Sequence, residues 1–171
     1  YTVEQARRST EAGVDGLLIV TPYYNKPSQA GVLTHFRLIA DATDLPVILY
    51  DIPGRAGIPI AYDTFHRAAK HPNIVAVKDA KGDLFAAQQV MSRCELVYYS
   101  GDDALNLPLL AVGAVGAVSV TGHLVADRIA AMILAFESGD VELARELNDE
   151  LVPVTEAVMG ITQGVIAVKA A

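Results

Sequence analysis

The stretch Ile74-Val75-Ala76-Val77-Lys78 decides how the sequence is interpreted. Four apolar residues run together and end on a lysine. A run this short and this continuously apolar is typical of a parallel strand that is covered on both faces. Asp83 then predicts the N-cap of a helix over residues 84–93. The sequence therefore predicts a strand followed by a helix.

Further runs of the same kind lie on either side, roughly 20 to 30 residues apart, which is the span of one strand and one helix. They cover residues 16–20, 47–50, 96–99 and 116–120. Two helical patterns follow the last run, at residues 125–138 and 141–159, and Gly139-Asp140 forms the predicted turn between them. The sequence thus predicts an α/β fold with five strands and a helical end.

Two architectures agree with five consecutive units of this kind. One is an open, doubly wound sheet, which the strand count alone favours. The other is a β/α barrel, which needs about 250 residues and eight strands. The chain starts at Tyr1 and ends in the apolar, helix-compatible stretch of residues 166–171. These ends predict that the chain is a piece of a longer protein, so the barrel remains a possible architecture.

The composition narrows the classes of function. The chain has 171 residues and a net charge of −7, which argues against nucleic acid or an anionic membrane as the main partner. Cys94 is the one cysteine, so no disulfide forms within the chain. The four histidines lack ligand spacing, and no glycine-rich phosphate loop follows a strand. We expect a soluble, cytoplasmic domain that uses no metal and no cofactor.

Polar residues collect at the predicted strand ends, where reactive groups lie in both architectures. Lys78 closes an apolar strand, and a desolvated amine there can attack a carbonyl and form a Schiff base. Tyr50 ends the preceding strand, and its hydroxyl can move protons for that chemistry. The plainer alternatives are a lysine that extends its charge to water and an aromatic core residue.

Two further strand ends carry charged groups. Arg55 follows Pro53-Gly54 in a tight loop, and its guanidinium could bind a carboxylate or simply lie exposed. Asp102-Asp103 could form an acid/base pair, but the pair is more typical of a cap on a helix over residues 104–112.

The strand ends resemble the dihydrodipicolinate synthase family, and their sequence looks most like that of actinobacterial members. The resemblance covers essentially all 171 residues and rests on five motifs in order. They are Val20-Thr21-Pro22-Tyr23-Tyr24-Asn25-Lys26-Pro27, Tyr50-Asp51-Ile52-Pro53-Gly54-Arg55, Val77-Lys78-Asp79-Ala80, Ser100-Gly101-Asp102-Asp103 and Val118-Ser119-Val120-Thr121. It implies a partial TIM (β/α)8 barrel, strands four to eight, followed by C-terminal helices. Residues 1–124 would be the partial barrel, and residues 125–171 the last barrel helix and the start of the helical C-terminal region.

The resemblance also implies an activity. Members condense pyruvate with L-aspartate 4-semialdehyde in lysine and diaminopimelate biosynthesis, without a cofactor and as homotetramers that are dimers of dimers. The site residues that it implies are the Schiff-base lysine Lys78, the proton-transferring Tyr50, the relay residue Tyr24 lent to a neighbouring subunit, the carboxylate-binding Arg55, the pocket residues Val118 and Gly101, and the interface residue Tyr23.

Two departures from the family pattern bear on activity. The family's Gly-Thr-Thr-Gly-Glu motif is absent and would lie before Tyr1, together with three barrel strands. Gly122-His123 stands where Ala-Asn is commoner. We therefore expect the chain alone to be inactive.

Two other functions stay open at this point. One is a sister aldolase, such as N-acetylneuraminate lyase or a keto-deoxy sugar aldolase, which would share Lys78 and Tyr50 but usually lacks an arginine at the position of Arg55. The other is an inactive fragment or a small-molecule-binding α/β domain, in which Lys78 is only a cation at a strand end.

Overall fold

A computed structural model describes all 171 residues. The strands are β1 (Leu17–Val20), β2 (Val47–Asp51), β3 (Ile74–Asp79), β4 (Val97–Ser100) and β5 (Gly116–Ala117). The helices are α1 (Thr2–Glu11), α2 (Gln29–Ala40), α3 (Pro53–Ala56), α4 (Tyr62–Ala68), α5 (Leu84–Met91), α6 (Asn106–Ala111), α7 (Gly122–Glu137), α8 (Val141–Thr155) and α9 (Gly164–Ala170). The chain divides into two compact units, Tyr1–Tyr99 and Ser100–Ala171.

The first unit is a sheet whose strands follow one another in chain order, with helices between them. β1 pairs in parallel with β2, and β2 with β3. Leu17 lies opposite Val47, and Tyr50 lies opposite Lys78. The alternation of strand and helix predicted from the sequence is confirmed here. Parallel pairing brings the carboxyl ends of these strands to one edge of the sheet.

The core of the first unit lies between strands and helices. Phe36 of α2 and Phe65 of α4 are fully buried, as are Leu49 and Val77 of the central strands. The strands and the helices both contribute apolar side chains to this core. The strands accordingly appear in the sequence as continuous hydrophobic runs. Burial of each such side chain stabilises the fold by about 1.5–3 kcal/mol.

Side-chain caps start two of these helices. The Ser28 hydroxyl accepts a hydrogen bond from the backbone of Gly31 at 3.3 Å and caps α2. Asp83 accepts one from Ala86 at 2.9 Å and caps α5, as predicted. α5 ends at Met91, two residues before the predicted end.

The second unit is mainly helical. α7 and α8 pack around a shared core that contains Met132, Ala144 and Leu147. The predicted turn between them is confirmed, because Gly139 has a φ of +86° and Asp140 caps α8. α7 begins before the predicted start, and its backbone leaves helical geometry at Val125.

The end of the chain carries the remaining helical segments. α8 continues into a π-helical turn over Glu156–Gly160, and α9 follows. No single helix is long and apolar enough to cross a membrane; Val141–Gly160 and Gly164–Ala170, bent by 105°, meet the length and composition test only as a pair.

The fifth strand is shorter than predicted. The run at residues 116–120 forms a strand only over Gly116–Ala117. Further along, the amides of Val120 and Thr121 each donate to the buried Asp103 carboxylate at 2.9 Å. These amides therefore bond to a side chain instead of extending the strand.

The helix predicted over residues 104–112 forms as two pieces. A 3₁₀ turn covers Asp103–Leu105, and α6 follows it. Asp102 acts as the predicted cap, accepting a hydrogen bond from the amide of Ala104 at 3.1 Å. Asp103 instead bonds to the segment after β5, so the two aspartates have different roles.

Candidate active site

The carboxyl ends of β2 and β3 present two pairs of residues in register. Tyr50 lies opposite Lys78, and Asp51 lies opposite Asp79. Successive side chains of a strand point to opposite faces of the sheet. The tyrosine and the lysine therefore share one face, and the two carboxylates share the other.

Lys78 and Tyr50 are in contact. The Nζ atom of Lys78 lies 4.1 Å from the centroid of the Tyr50 ring. Lys78 is only 9% exposed, although it lies near the carboxyl end of β3. A largely desolvated amine beside a phenol has the parts needed for Schiff-base chemistry with a carbonyl compound.

The surroundings of Tyr50 act on its hydroxyl in two ways. Burial raises the pKa of Tyr50 above its usual value, and the positive charge of Arg55 opposes that rise. The phenol therefore stays protonated at neutral pH and can donate and accept a hydrogen bond. A group that moves protons to and from an oxygen needs both abilities.

Arg55 is held by the short helix α3, which starts directly after β2. Pro53 occupies the first turn of this helix, where its missing N–H costs nothing. Gly57 ends it with a φ of +82°, and a Cβ at this position would come within 2.7 Å of the Lys26 side chain. The left-handed backbone favours glycine here, whereas the flexible Lys26 side chain could move aside. The local sequence thus fixes the position of Arg55 relative to the end of β2.

Tyr23 and Tyr24 lie in the turn after β1. Tyr24 has a φ of +73°, a backbone conformation that a non-glycine residue adopts at a cost of about 1–3 kcal/mol. Its side chain is 94% exposed, and that of Tyr23 is also exposed. Tyr24 therefore combines a strained backbone with a side chain that is exposed to solvent.

Four of the predicted site residues line one cleft of about 650 Å³, together with apolar residues of β1 and α3. The cleft is lined by Leu18, Val20, Tyr23, Tyr24, Tyr50, Ile52, Arg55 and Ala56. Its walls are mainly apolar, and its polar groups are phenols and one guanidinium. Such a lining suits a small molecule that carries a carboxylate. Lys78 borders this group through its contact with Tyr50.

The remaining two predicted residues belong to the second unit. Gly101 follows β4, and Val118 follows β5. The amide of Val118 donates to the carbonyl of Ser100 at 2.7 Å, so Val118 and Gly101 lie on neighbouring backbone segments. The second unit therefore brings this predicted pair together.

Sequence reasoning missed the polar cluster on the opposite face of the sheet. Asp51 and Asp79 are both buried, and the Oδ2 atom of Asp51 lies 3.3 Å from Nζ of Lys81. Burial raises the pKa of Asp51 to about 6, Asp79 adds to the rise, and Lys81 opposes it. A signal was present: both buried strands end in an aspartate immediately after the candidate catalytic residue.

Taken together, the strand-end lysine, the neighbouring phenol and the nearby arginine bring the side chains that Schiff-base chemistry needs to one end of a β/α scaffold. The chain belongs to the dihydrodipicolinate synthetase family, whose model matches residues 2–171. Curated relatives at 51–56% identity are named 4-hydroxy-tetrahydrodipicolinate synthase and are mostly actinobacterial.

Three comparisons give the extent of the similarity. The 4-hydroxy-tetrahydrodipicolinate synthase of Kineococcus radiotolerans is 56% identical over the whole chain, which covers 56% of that relative. A dihydrodipicolinate synthase from Bacillus anthracis matches with a TM-score of 0.93 and 42% identity, over 98% of this chain and 57% of that one. A chloride-inhibited dihydrodipicolinate synthase from Acinetobacter baumannii, complexed with pyruvate, matches with a TM-score of 0.92 and 35% identity, over 98% and 58% of the two chains.

These similarities decide between the two architectures. The matched structures are TIM barrels, and the chain covers only somewhat more than half of each. The fold is therefore a partial barrel, as the resemblance implied, and the open sheet favoured by strand count is wrong. The chain spans about half the length of the curated relatives it matches.

Proposed function

We propose that this chain supplies the catalytic lysine of an enzyme that condenses pyruvate with L-aspartate 4-semialdehyde. The observation that carries the proposal is the contact between the Lys78 amine and the Tyr50 ring, at a strand end beside the cleft that Arg55 lines. The names of the relatives support the same reaction. The pyruvate complex of the Acinetobacter baumannii protein supports the first substrate.

The first step is the attack of the neutral Lys78 amine on the ketone carbon of pyruvate. A carbon–nitrogen bond forms as the carbonyl double bond opens, the nitrogen gives up one proton, and the ketone oxygen takes up one proton to give a carbinolamine. Loss of that oxygen as water, with a second proton, leaves the Schiff base. Tyr50 is the group beside Lys78 that can deliver and recover these protons, because its hydroxyl stays protonated at neutral pH.

The second step uses the nucleophilic carbon of the bound pyruvate. The methyl carbon loses a proton, which turns the Schiff base into an enamine, and this carbon then attacks the aldehyde of the semialdehyde. Arg55 lines the same cleft as Tyr50, and its guanidinium suits the carboxylate of the aldehyde substrate. The same arginine argues against a sugar aldolase, and the names of the relatives do not favour that alternative.

The other site residues are assigned by the resemblance and by their location. Tyr24 serves the proton relay of a neighbouring subunit, which agrees with its strained, exposed position. Tyr23 belongs to the interface between subunits, and Gly101 and Val118 line the pyruvate pocket. A homotetramer is the proposed assembly, and residue 124 remains the proposed end of the barrel part.

Trapping with borohydride tests the lysine directly. Pyruvate and sodium borohydride are added to the complete gene product, and the peptides are mapped by mass. We expect the mass of one reduced pyruvate on Lys78, and we expect a Lys78→Ala variant to gain none. A reduced adduct on a different lysine, or on none, would overturn the proposed function.

The 171-residue chain alone is proposed to be inactive, because it spans about half of its relatives. The test compares this chain with a chimera that adds the part of the Kineococcus radiotolerans relative that the chain does not match. We expect turnover of both substrates in the chimera only. Turnover by the unextended chain at a comparable rate would contradict this proposal.

A further inference from the structure

The carboxylate of Asp51 joins two segments that leave the sheet at different strands. Its Oδ1 atom accepts a hydrogen bond from the amide of Ile60 at 3.0 Å. Its Oδ2 atom lies 3.3 Å from Nζ of Lys81. Ile60 is the far end of the segment that carries Arg55, and Lys81 follows the strand that carries Lys78. One buried carboxylate thus connects both sides of the proposed site.

The connection is reinforced by backbone bonds around it. The amide of Ala80 donates to the carbonyl of Asp51 at 2.8 Å, and the amide of Lys81 donates to Asp79 at 2.9 Å. Asp51 and Ile60 are nine residues apart, so their hydrogen bond closes the loop that contains α3. The loop is therefore fixed at its start by β2 and at its end by Asp51.

Charged and titratable groups reach Asp51 from every neighbouring element. Asp79 comes from β3, Lys81 from the loop after it, and the Tyr98 phenol from β4, where burial raises the pKa of Tyr98 and the two carboxylates add to the rise. The Phe65 ring of α4 lies 5.8 Å from Nζ of Lys81. Lys81 is thus the cation that pairs with Asp51 among these acidic and aromatic groups.

We propose that Asp51 and Lys81 are positioning residues that hold the Arg55 loop against the Lys78 strand end, and so set the affinity for the carboxylate-bearing aldehyde. The inference rests on the proposed function. An amide at position 51 could still accept the bond from Ile60, so hydrogen bonding alone does not require a carboxylate. A buried ion pair is costly to desolvate, and a role in fixing one geometry accounts for its presence here.

Protonation of Asp51 would weaken this pair. The pKa of Asp51 is about 6, with Lys81 holding it down and burial pushing it up. Below that pH the carboxyl group is neutral, and the Arg55 loop loses its tie to Lys81. The KM for the aldehyde substrate should therefore rise as the pH falls through about 6, while pyruvate is still trapped on Lys78.

The experiment uses the complete gene product with the variants Asp51→Asn, Lys81→Met and the double variant. Glu4→Gln is the matched control, because it makes the same charge change in an exposed ion pair with Arg8. We expect either single variant to raise the KM for the aldehyde about tenfold, with a smaller change for pyruvate. The double variant should be no worse than the singles, and Glu4→Gln should match the wild type.

The pH profile separates positioning from a general loss of structure. Asp51→Asn and Lys81→Met should each remove the acidic rise in the aldehyde KM, because neither variant keeps an Asp51–Lys81 pair that protonation of Asp51 could weaken. Unchanged profiles, equal effects on both substrates, or effects that add in the double variant would overturn the inference. If the variants do not fold, a wild-type aldehyde KM that stays flat between pH 7 and pH 5 would also overturn it.

Failure of the proposed function gives a different result. Wild-type protein that traps no pyruvate on Lys78 would overturn the proposed reaction, and with it this inference. Wild-type protein that traps pyruvate but has variants with unchanged aldehyde KM would overturn the inference alone.

Discussion

The two faces of the sheet at the ends of β2 and β3 carry opposite chemistry, although their residues alternate along the same two strands. On one face, the Lys78 amine packs over the Tyr50 ring. On the other face, the Lys81 amine lies beside the Asp51 carboxylate. Two lysines three positions apart thus have different neighbours. The comparison teaches that two amines close together in the sequence can lie in different surroundings, which the proposed function turns into different roles.

The sharpest way to break this comparison is to remove each lysine in turn. Lys78→Ala should abolish turnover, since no covalent intermediate can form without the amine. Lys81→Ala should keep the pyruvate adduct on Lys78. The reason is that the Lys81 amine of the wild type pairs with Asp51 and is not the amine proposed to attack pyruvate. Borohydride trapping with peptide mapping measures both. An adduct on Lys81 in the Lys78→Ala variant would reverse the assignment of the two faces.

Arg55 tests the reactive face at a smaller magnitude. Arg55→Ala should lower kcat/KM for the semialdehyde about tenfold to a hundredfold, since a charge-assisted bidentate contact is worth roughly 1.5–3 kcal/mol. The KM for pyruvate should move less, because pyruvate is held covalently on Lys78. Arg55→Lys should recover only part of the loss. Steady-state kinetics with each substrate varied in turn would decide this, and an equal rise in both KM values would indicate collapse of the loop instead.

The opposite face should appear in the pH dependence of folding stability. The pKa of Asp51 is raised from 3.8 to about 6 in the folded chain, so the folded state binds this proton more tightly than the unfolded state does. The contribution of Asp51 to stability should therefore fall as the pH rises from about 4 to about 6, by up to roughly 3 kcal/mol. Urea unfolding at several pH values measures it. Asp51→Asn should lack this component, and a variant with the wild-type slope would contradict the assignment.

The smallest expected effect concerns the strand beside the two faces. β1 pairs with β2 on one side only, and the amides of Leu18 and Val20 point away from β2 because successive amides alternate. In the 171-residue chain these amides should exchange with solvent faster than those of β2 and β3. Hydrogen exchange read by NMR compares them directly. Strong protection of Leu18 and Val20 in a monomer would show that this edge is covered.

The strand and helix order of this protein was predictable from the sequence because the signals are local. Four apolar runs became β1 to β4, and Asp83, Asp102 and Gly139-Asp140 served as the predicted caps and turn. The run at residues 116–120 was the exception, because the distant Asp103 carboxylate takes the amides of Val120 and Thr121. A hydrogen bond between separate segments leaves no trace in local periodicity.

The candidate site divides in the same way. The sequence by itself was enough to single out Lys78, Tyr50 and Arg55 as candidates, because residue type and location at a strand end are local features; their roles, which the resemblance implies, stay predictions. Only the tertiary structure decided that Asp51 and Lys81 form a pair, because the register of β2 and β3 and the return of the chain at Ile60 create that contact. It also decided the pKa of Asp51, because burial and neighbouring charges exist only once the strands and helices have packed around the carboxylate.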